Sequence, residues 1–131
     1  MDSAGFSVPT MFNYREQDPD QLEFVAVATL EEIGPGERLF FDVDRRSIVL
    51  FNIADSLYAI DDLCSHDGGP VGEGEVEGHA IECPRHGARF DLESGKALNL
   101  PAVVDIAAYP VRVEGDQILI GLPRENEESG V

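Results

Sequence analysis

Residues 64–87 read CSHDGGPVGEGEVEGHAIECPRHG, and the two ends of this stretch are alike. Cys64-Ser65-His66 opens it, followed by Asp67-Gly68-Gly69-Pro70; Cys83-Pro84-Arg85-His86 closes it, followed by Gly87. Sixteen residues separate His66 from Cys83, and they read as one short hairpin turning at Gly78. A hairpin returns the chain to its start, so the two pieces are expected to face each other as adjacent loops. Two thiolates and two imidazoles then converge on one point.

On either side the pattern is short apolar runs divided by turn residues. Leu22 to Ala28 suits a strand, and Gly34-Pro35-Gly36 breaks it from the next. Arg38 to Val43 and Ser47 to Ile53 flank Asp44-Arg45-Arg46 as a hairpin, and Leu57 to Ile60 follows a turn at Ala54-Asp55-Ser56. Glu75 to Val76 and His79 to Glu82 straddle Gly78; Ala88 to Leu92 and Lys96 to Leu98 straddle Ser94-Gly95. Tyr109 to Val113 and Gln117 to Leu122 straddle Gly115-Asp116, with Tyr109, Val111 and Val113 on one face. No segment holds helical apolar spacing for three turns. The sequence predicts an all-β fold, an antiparallel sandwich or small barrel, with a two-loop subdomain spanning about 62–92.

The chain has 131 residues and reads as one domain, with 1–21 a polar, partly ordered extension, 22–122 the folded unit and 123–131 a solvated acidic tail. Phe6, Phe12 and Tyr14 are the extension's candidates for packing on the domain. The net charge of −17 repels phosphates, which argues against nucleic acid and anionic membranes as partners. A protein partner with a basic docking face is the physical complement, although acidity serves solubility equally well. No run approaches the ~20 apolar residues of a membrane span. Residues 1–21 lack both the basic and the apolar regions of a secretory signal, so a cytoplasmic protein, and a monomeric one, is expected.

Cys-x-His, sixteen residues, Cys-x-x-His, with its glycines and prolines, resembles the signature of Rieske [2Fe–2S] proteins. The resemblance covers roughly residues 22 to 122. It implies one [2Fe–2S] cluster per chain, with Cys64 and Cys83 on an inner iron and His66 and His86 on an outer, more exposed one. It implies that Gly68, Gly69 and Pro70, with Pro84, Arg85 and Gly87, shape the loops around it. Neutral imidazoles withdraw negative charge from the cluster and raise its potential relative to an all-thiolate one. High-potential members of the family carry one more cysteine in each loop; those places look to be Gly69 or a neighbour and Arg85. They also carry a serine and a tyrosine after the second histidine, where this chain has Ala88 and Phe90, neither able to donate a hydrogen bond. The chain is therefore most similar to the soluble ferredoxins of ring-hydroxylating dioxygenases. The resemblance implies a one-electron carrier between a flavin-dependent reductase and a terminal oxygenase.

Other readings of the same residues stay open at this stage. Zinc accepts two Cys and two His, though its usual loops are Cys-x2–4-Cys with His-x3–5-His. A Cys64–Cys83 disulfide is disfavoured in a cytoplasmic protein. A Cys–His nucleophile leaves the second Cys–His pair without a role. The function classes that remain beside the carrier are a small subunit of a larger oxidoreductase, such as a nitrite reductase, and a non-enzymatic metal-binding or sensing module. No substrate pocket or acid–base pair is legible, so the chain need not be an enzyme by itself. His79 belongs to neither motif. Arg85 and Arg89 read as surface arginines flanking the second histidine.

Overall fold

The computed structural model describes residues 13–64, 68–100 and 104–123. Among these residues ten strands form three sheets: β1 (Leu22–Thr29), β2 (Arg38–Val43), β3 (Arg46–Ile53), β4 (Ser56–Asp61), β5 (Glu75–Glu77), β6 (Ala80–Glu82), β7 (Arg89–Asp91), β8 (Ala108–Tyr109), β9 (Val111–Glu114) and β10 (Gln117–Pro123). The orders are β1-β10-β9, β2-β3-β4-β8 and β5-β6-β7, every strand pair antiparallel. Among the described residues the only helical turns are three short 3₁₀ segments, Tyr14–Glu16, Pro19–Gln21 and Leu30–Glu32. No helix among them is long and apolar enough to cross a membrane.

The four-stranded sheet is the middle layer because β3 is apolar on both faces. Ile48, Val49, Leu50 and Phe51 are consecutive and all buried, the pattern of a strand covered on two sides. Successive side chains point to opposite faces. Ile48 and Leu50 join Tyr109, Ile118, Ile120 and Leu122 in one core, against the β1-β10-β9 sheet. Val49 and Phe51 join Ile81, Phe90, Leu92 and both cysteines in a second core, under the β5-β6-β7 sheet. The small sheet is inserted between β4 and β8, and its loops carry the candidate site.

Several boundaries differ from the sequence reading, each for a local reason. The β2–β3 and β3–β4 turns hold two residues, not three. Asp44 and Arg45, then Ala54 and Asp55, take positive φ of 51°, 64°, 52° and 73°, the tight turn that matches strand twist. Arg46 and Ser56 thereby join their strands. Lys96 to Leu98 forms no strand but a single bridge, Phe90 to Ala97. The expected strand Tyr109 to Val113 is divided at Pro110, which has no N–H to continue a ladder. Tyr109 pairs with β4, whereas Val111 onward pairs with β10. Val113, expected on one face with Tyr109, is exposed while Tyr109 is buried. Pro123 ends β10 instead of opening the tail.

The extension is tied down from Asn13 onward. Asn13 makes a parallel bridge to Ala108, and the Tyr14 ring stacks on Tyr109 at 5.4 Å between centroids. Arg15 lies over the Tyr58 ring at 5.7 Å. Phe6 and Phe12 lie outside the described residues, as does the tail from 124 to 131.

Candidate metal centre

Both cysteines open loops with the same hydrogen-bonded frame. The Cys64 carbonyl accepts from Gly68 N–H at 2.7 Å, and Cys64 N–H donates to the Gly69 carbonyl at 2.7 Å. The Cys83 carbonyl accepts from Gly87 N–H at 3.1 Å, and Cys83 N–H donates to the Ala88 carbonyl at 2.7 Å. Counting from each cysteine, donors and acceptors fall at the same two positions. Gly68 and Gly87 both have φ of +78°, a conformation that side chains with a Cβ rarely adopt. The glycine at the fourth place after each cysteine is thus what closes each loop.

The loops stand side by side, as the hairpin predicts. A Cβ placed on Gly69 would fall 2.8 Å from the guanidinium carbon of Arg85, so the tips of the two loops touch through these residues. Hydrogen bonds to the frame hold both loops from below. Asp62 Oδ1 accepts from Val71 N–H at 3.0 Å and Gly72 N–H at 2.6 Å, pinning the return of the first loop to the end of β4. Arg38 donates to the carbonyls of Gly72 and Gly74. Asn99 donates to the Gly87 carbonyl and accepts from Arg89 N–H, pinning the second loop.

Burial divides the donors by type. Cys64 is 0% and Cys83 1% exposed, and no disulfide joins them. His86, Pro84 and Arg85 are exposed, as are Gly68 and Pro70; Gly69 and Gly87 are half-buried. His66 lies outside the described residues, together with Ser65 and Asp67. Among the described residues no three His, Cys, Asp or Glu side chains form a site for one ion. Two buried thiols packed among Val71, Ile81, Phe90 and Leu92 suit a pair of thiolates on a ferric ion, soft donors kept from water. An exposed imidazole on the neighbouring loop suits a second, outward iron. The donor set and its burial fit a [2Fe–2S] cluster.

A cavity of about 600 Å³ adjoins the first loop, lined by Arg46, Asp61, Leu63, Gly68 and Pro70 among others. The sequence reading passed over its polar wall, because nothing in the motif marks it. Tyr109 OH donates to Asp61 Oδ1, and Arg46 donates to Tyr109 OH at 3.1 Å. Burial raises the Asp61 pKa, against the lowering effects of the Tyr109 hydrogen bond and Arg46. Burial, with Asp61 beside it, pushes the Tyr109 phenol up as well. The folded protein therefore binds the Asp61 proton more tightly than the unfolded chain. The stabilisation this gives is complete below the unfolded value of ~3.9 and is lost as pH rises through the folded one. Asp61→Asn removes that dependence. Urea unfolding is expected to show the native protein losing ground to Asp61→Asn as pH rises above about 4. A difference between the two that is flat with pH contradicts this.

His79 has no part in the loops. It is exposed in the turn between β5 and β6, not at the start of a strand, and its Nε2 lies 3.4 Å from Tyr58 OH. Arg89 pairs with Glu77 at 3.1 Å, whereas Arg85 lies against the first loop.

Comparison with known proteins agrees with this geometry. Residues 23–110 match the model of the Rieske [2Fe-2S] domain. The ferredoxin component of a naphthalene 1,2-dioxygenase system from Pseudomonas aeruginosa is 36% identical over 100 residues, 76% of this chain and 96% of that protein. The 3-phenylpropionate/cinnamic acid dioxygenase ferredoxin subunit of Shigella flexneri is 46% identical over 93 residues, 70% of this chain and 87% of that protein. Among solved structures, the ferredoxin of carbazole 1,9a-dioxygenase from Nocardioides aromaticivorans IC177 superposes with a TM-score of 0.71. It is 40% identical, over 77% of this chain and 98% of that one. With the paired loops, the buried thiols and this match over most of its length, the chain belongs to the Rieske [2Fe–2S] domain family, and a [2Fe–2S] cluster is its cofactor.

Proposed function

We propose that this protein is the ferredoxin component of a multicomponent oxygenase system. It takes single electrons from a flavin-dependent reductase and passes them to a terminal oxygenase. Residues 22–122 are the carrier unit, 62–92 its cluster-bearing part, and 1–21 and 123–131 its flanks. Cys64 and Cys83 would hold the inner iron, and His66 and His86 the outer one. When bound, the cluster supplies a one-electron couple. The chain's own residues supply the rest: buried thiols fix the inner side, and an exposed imidazole leaves the outer side within reach of a partner. The observation that carries the reading is this division of buried thiols from exposed histidine across two matching loops. The protein acts as a monomer in the cytoplasm, and its partners meet it with basic faces.

The test is reconstitution with the reductase and terminal oxygenase of a 3-phenylpropionate dioxygenase system from which the native ferredoxin is left out. Addition of this protein is expected to restore NADH oxidation coupled to ring oxidation. Protein that takes up one electron per chain yet restores no turnover with this or other oxygenases contradicts the reading.

Ala88 and Phe90 set the expected potential. Both are fully buried in the same core as the two thiols, and neither offers a donor to a sulfur. Fewer donors stabilise the reduced cluster less, so the potential lies toward the lower end of the roughly −150 to +300 mV Rieske range. Ala88→Ser with Phe90→Tyr is expected to raise it. Each hydroxyl contributes ~0.5–1.5 kcal/mol, on the order of 20–60 mV for a one-electron couple. Voltammetry of the pair beside the native protein reads the change directly, and an unchanged potential contradicts this explanation.

A further inference from the structure

The register of the small sheet lines up a row of side chains on its outer face. Glu75 is opposite Glu82, and Glu82 is opposite Arg89; directly opposed residues share a face. The Phe90–Ala97 bridge carries the register one strand further, and Leu98 N–H donates to the Arg89 carbonyl at 2.8 Å. Leu98 thus continues the row outside, while Ile81 and Phe90 fill the core beneath.

Leu98 is 51% and Leu100 77% exposed. Between them Asn99 is held at both ends of its amide, by Arg89 N–H at 2.7 Å and the Gly87 carbonyl at 3.3 Å. The two leucines are therefore fixed beside Gly87, the residue that follows exposed His86. On the other side of the same loop, Pro84 shares a notch of about 290 Å³ with Glu73, Glu75 and Glu82.

Two features of this surface are unfavourable in the free protein. Leucines stand in water beside the second loop of a chain with a net charge of −17. Two carboxylates stand directly opposite on neighbouring strands, an arrangement that destabilises a sheet. Arg89, the cation in the row, is engaged by Glu77. Both penalties are relieved by one kind of covering: a protein face apolar at its centre and basic at its edge. We propose that Leu98 and Leu100 are the apolar anchors, and Glu73, Glu75 and Glu82 the charged rim, of the surface on which a basic redox partner docks. This rests on the carrier function above and names the residues that recognise the partner.

The experiment uses the full-length, cluster-loaded protein, reduced with dithionite and mixed anaerobically in a stopped-flow instrument. The oxidants are cytochrome c, a basic haem protein, and hexacyanoferrate(III), a small anion. Leu98→Ser with Leu100→Ser is expected to slow cytochrome c reduction severalfold at every ionic strength and to leave hexacyanoferrate unchanged. The triple variant Glu73→Gln, Glu75→Gln, Glu82→Gln is expected to slow cytochrome c at low salt by tenfold or more and to flatten its salt dependence. The same triple variant speeds hexacyanoferrate, because it loses three repelling charges. All these positions are at the surface, and the single variant Leu100→Gln serves should the double one fail to fold. Native rates with cytochrome c in both sets overturn the docking surface, as does equal slowing with both oxidants. A native protein that accepts no electron from dithionite fails the carrier reading instead.

Discussion

Cys83→Ser is expected to yield colourless protein that holds neither iron nor acid-labile sulfide after purification or reconstitution. The thiol is 1% exposed and sits in the core with Val71, Ala88 and Leu92. A hydroxyl at this place is a hard, weakly acidic donor that replaces thiolate poorly on iron. The loop has only this cysteine, so no neighbour can take over. The fold itself should survive, because the backbone frame joining Cys83 to Gly87 and Ala88 uses no side-chain atom. Circular dichroism is therefore expected to keep its β signature while the visible spectrum is lost. Retained colour and two irons per chain would contradict the assignment of Cys83.

Gly74→Ala carries the second large effect, this time on folding. A Cβ at Gly74 would lie 1.8 Å from the carbonyl oxygen of Glu82 and 3.2 Å from that of Val71. Both obstacles are backbone, so relief requires the β5–β6 hairpin to move. Glu82 directly precedes Cys83, and the shift therefore reaches the second loop. Overpacking of this kind costs about 3 kcal/mol or more, a fall in Tm on the order of 10 °C for a chain of this size. Gly115→Ala provides the contrast. Its φ is +64°, but a Cβ there meets nothing within 4 Å, and the cost is about 1 kcal/mol from the backbone alone. Thermal unfolding that ranks the two variants equally would contradict the steric account.

The two matched loops were legible because they are local in sequence. Cys64, Cys83 and His86 lie in short motifs, and a hairpin around Gly78 is enough to bring the loops together. The β2–β3–β4 meander was legible for the same reason, since each strand pairs with the next. What escaped is mostly non-local. Nothing near Leu22 says that its strand pairs with β10, almost a hundred residues on. Pro110 can be read as a break, but not as the point where the chain leaves one sheet for another. The Asp61–Tyr109–Arg46 network joins three strands through side chains that look ordinary in the sequence. Asn99 is the clearest case. It resembles a loop asparagine, and only the fold reveals that its amide fastens Leu98 and Leu100 to the second loop.

The most direct measurement is pulsed electron paramagnetic resonance on the dithionite-reduced protein grown with ¹⁵N-labelled histidine. Ligation by Cys64, Cys83, His66 and His86 predicts one unpaired electron per chain coupled strongly to two imidazole nitrogens. It also predicts that the two couplings are lost together with the cluster in Cys83→Ser. A reduced sample without this signal that holds one zinc per chain, or a signal coupled to fewer than two histidine nitrogens, would contradict it.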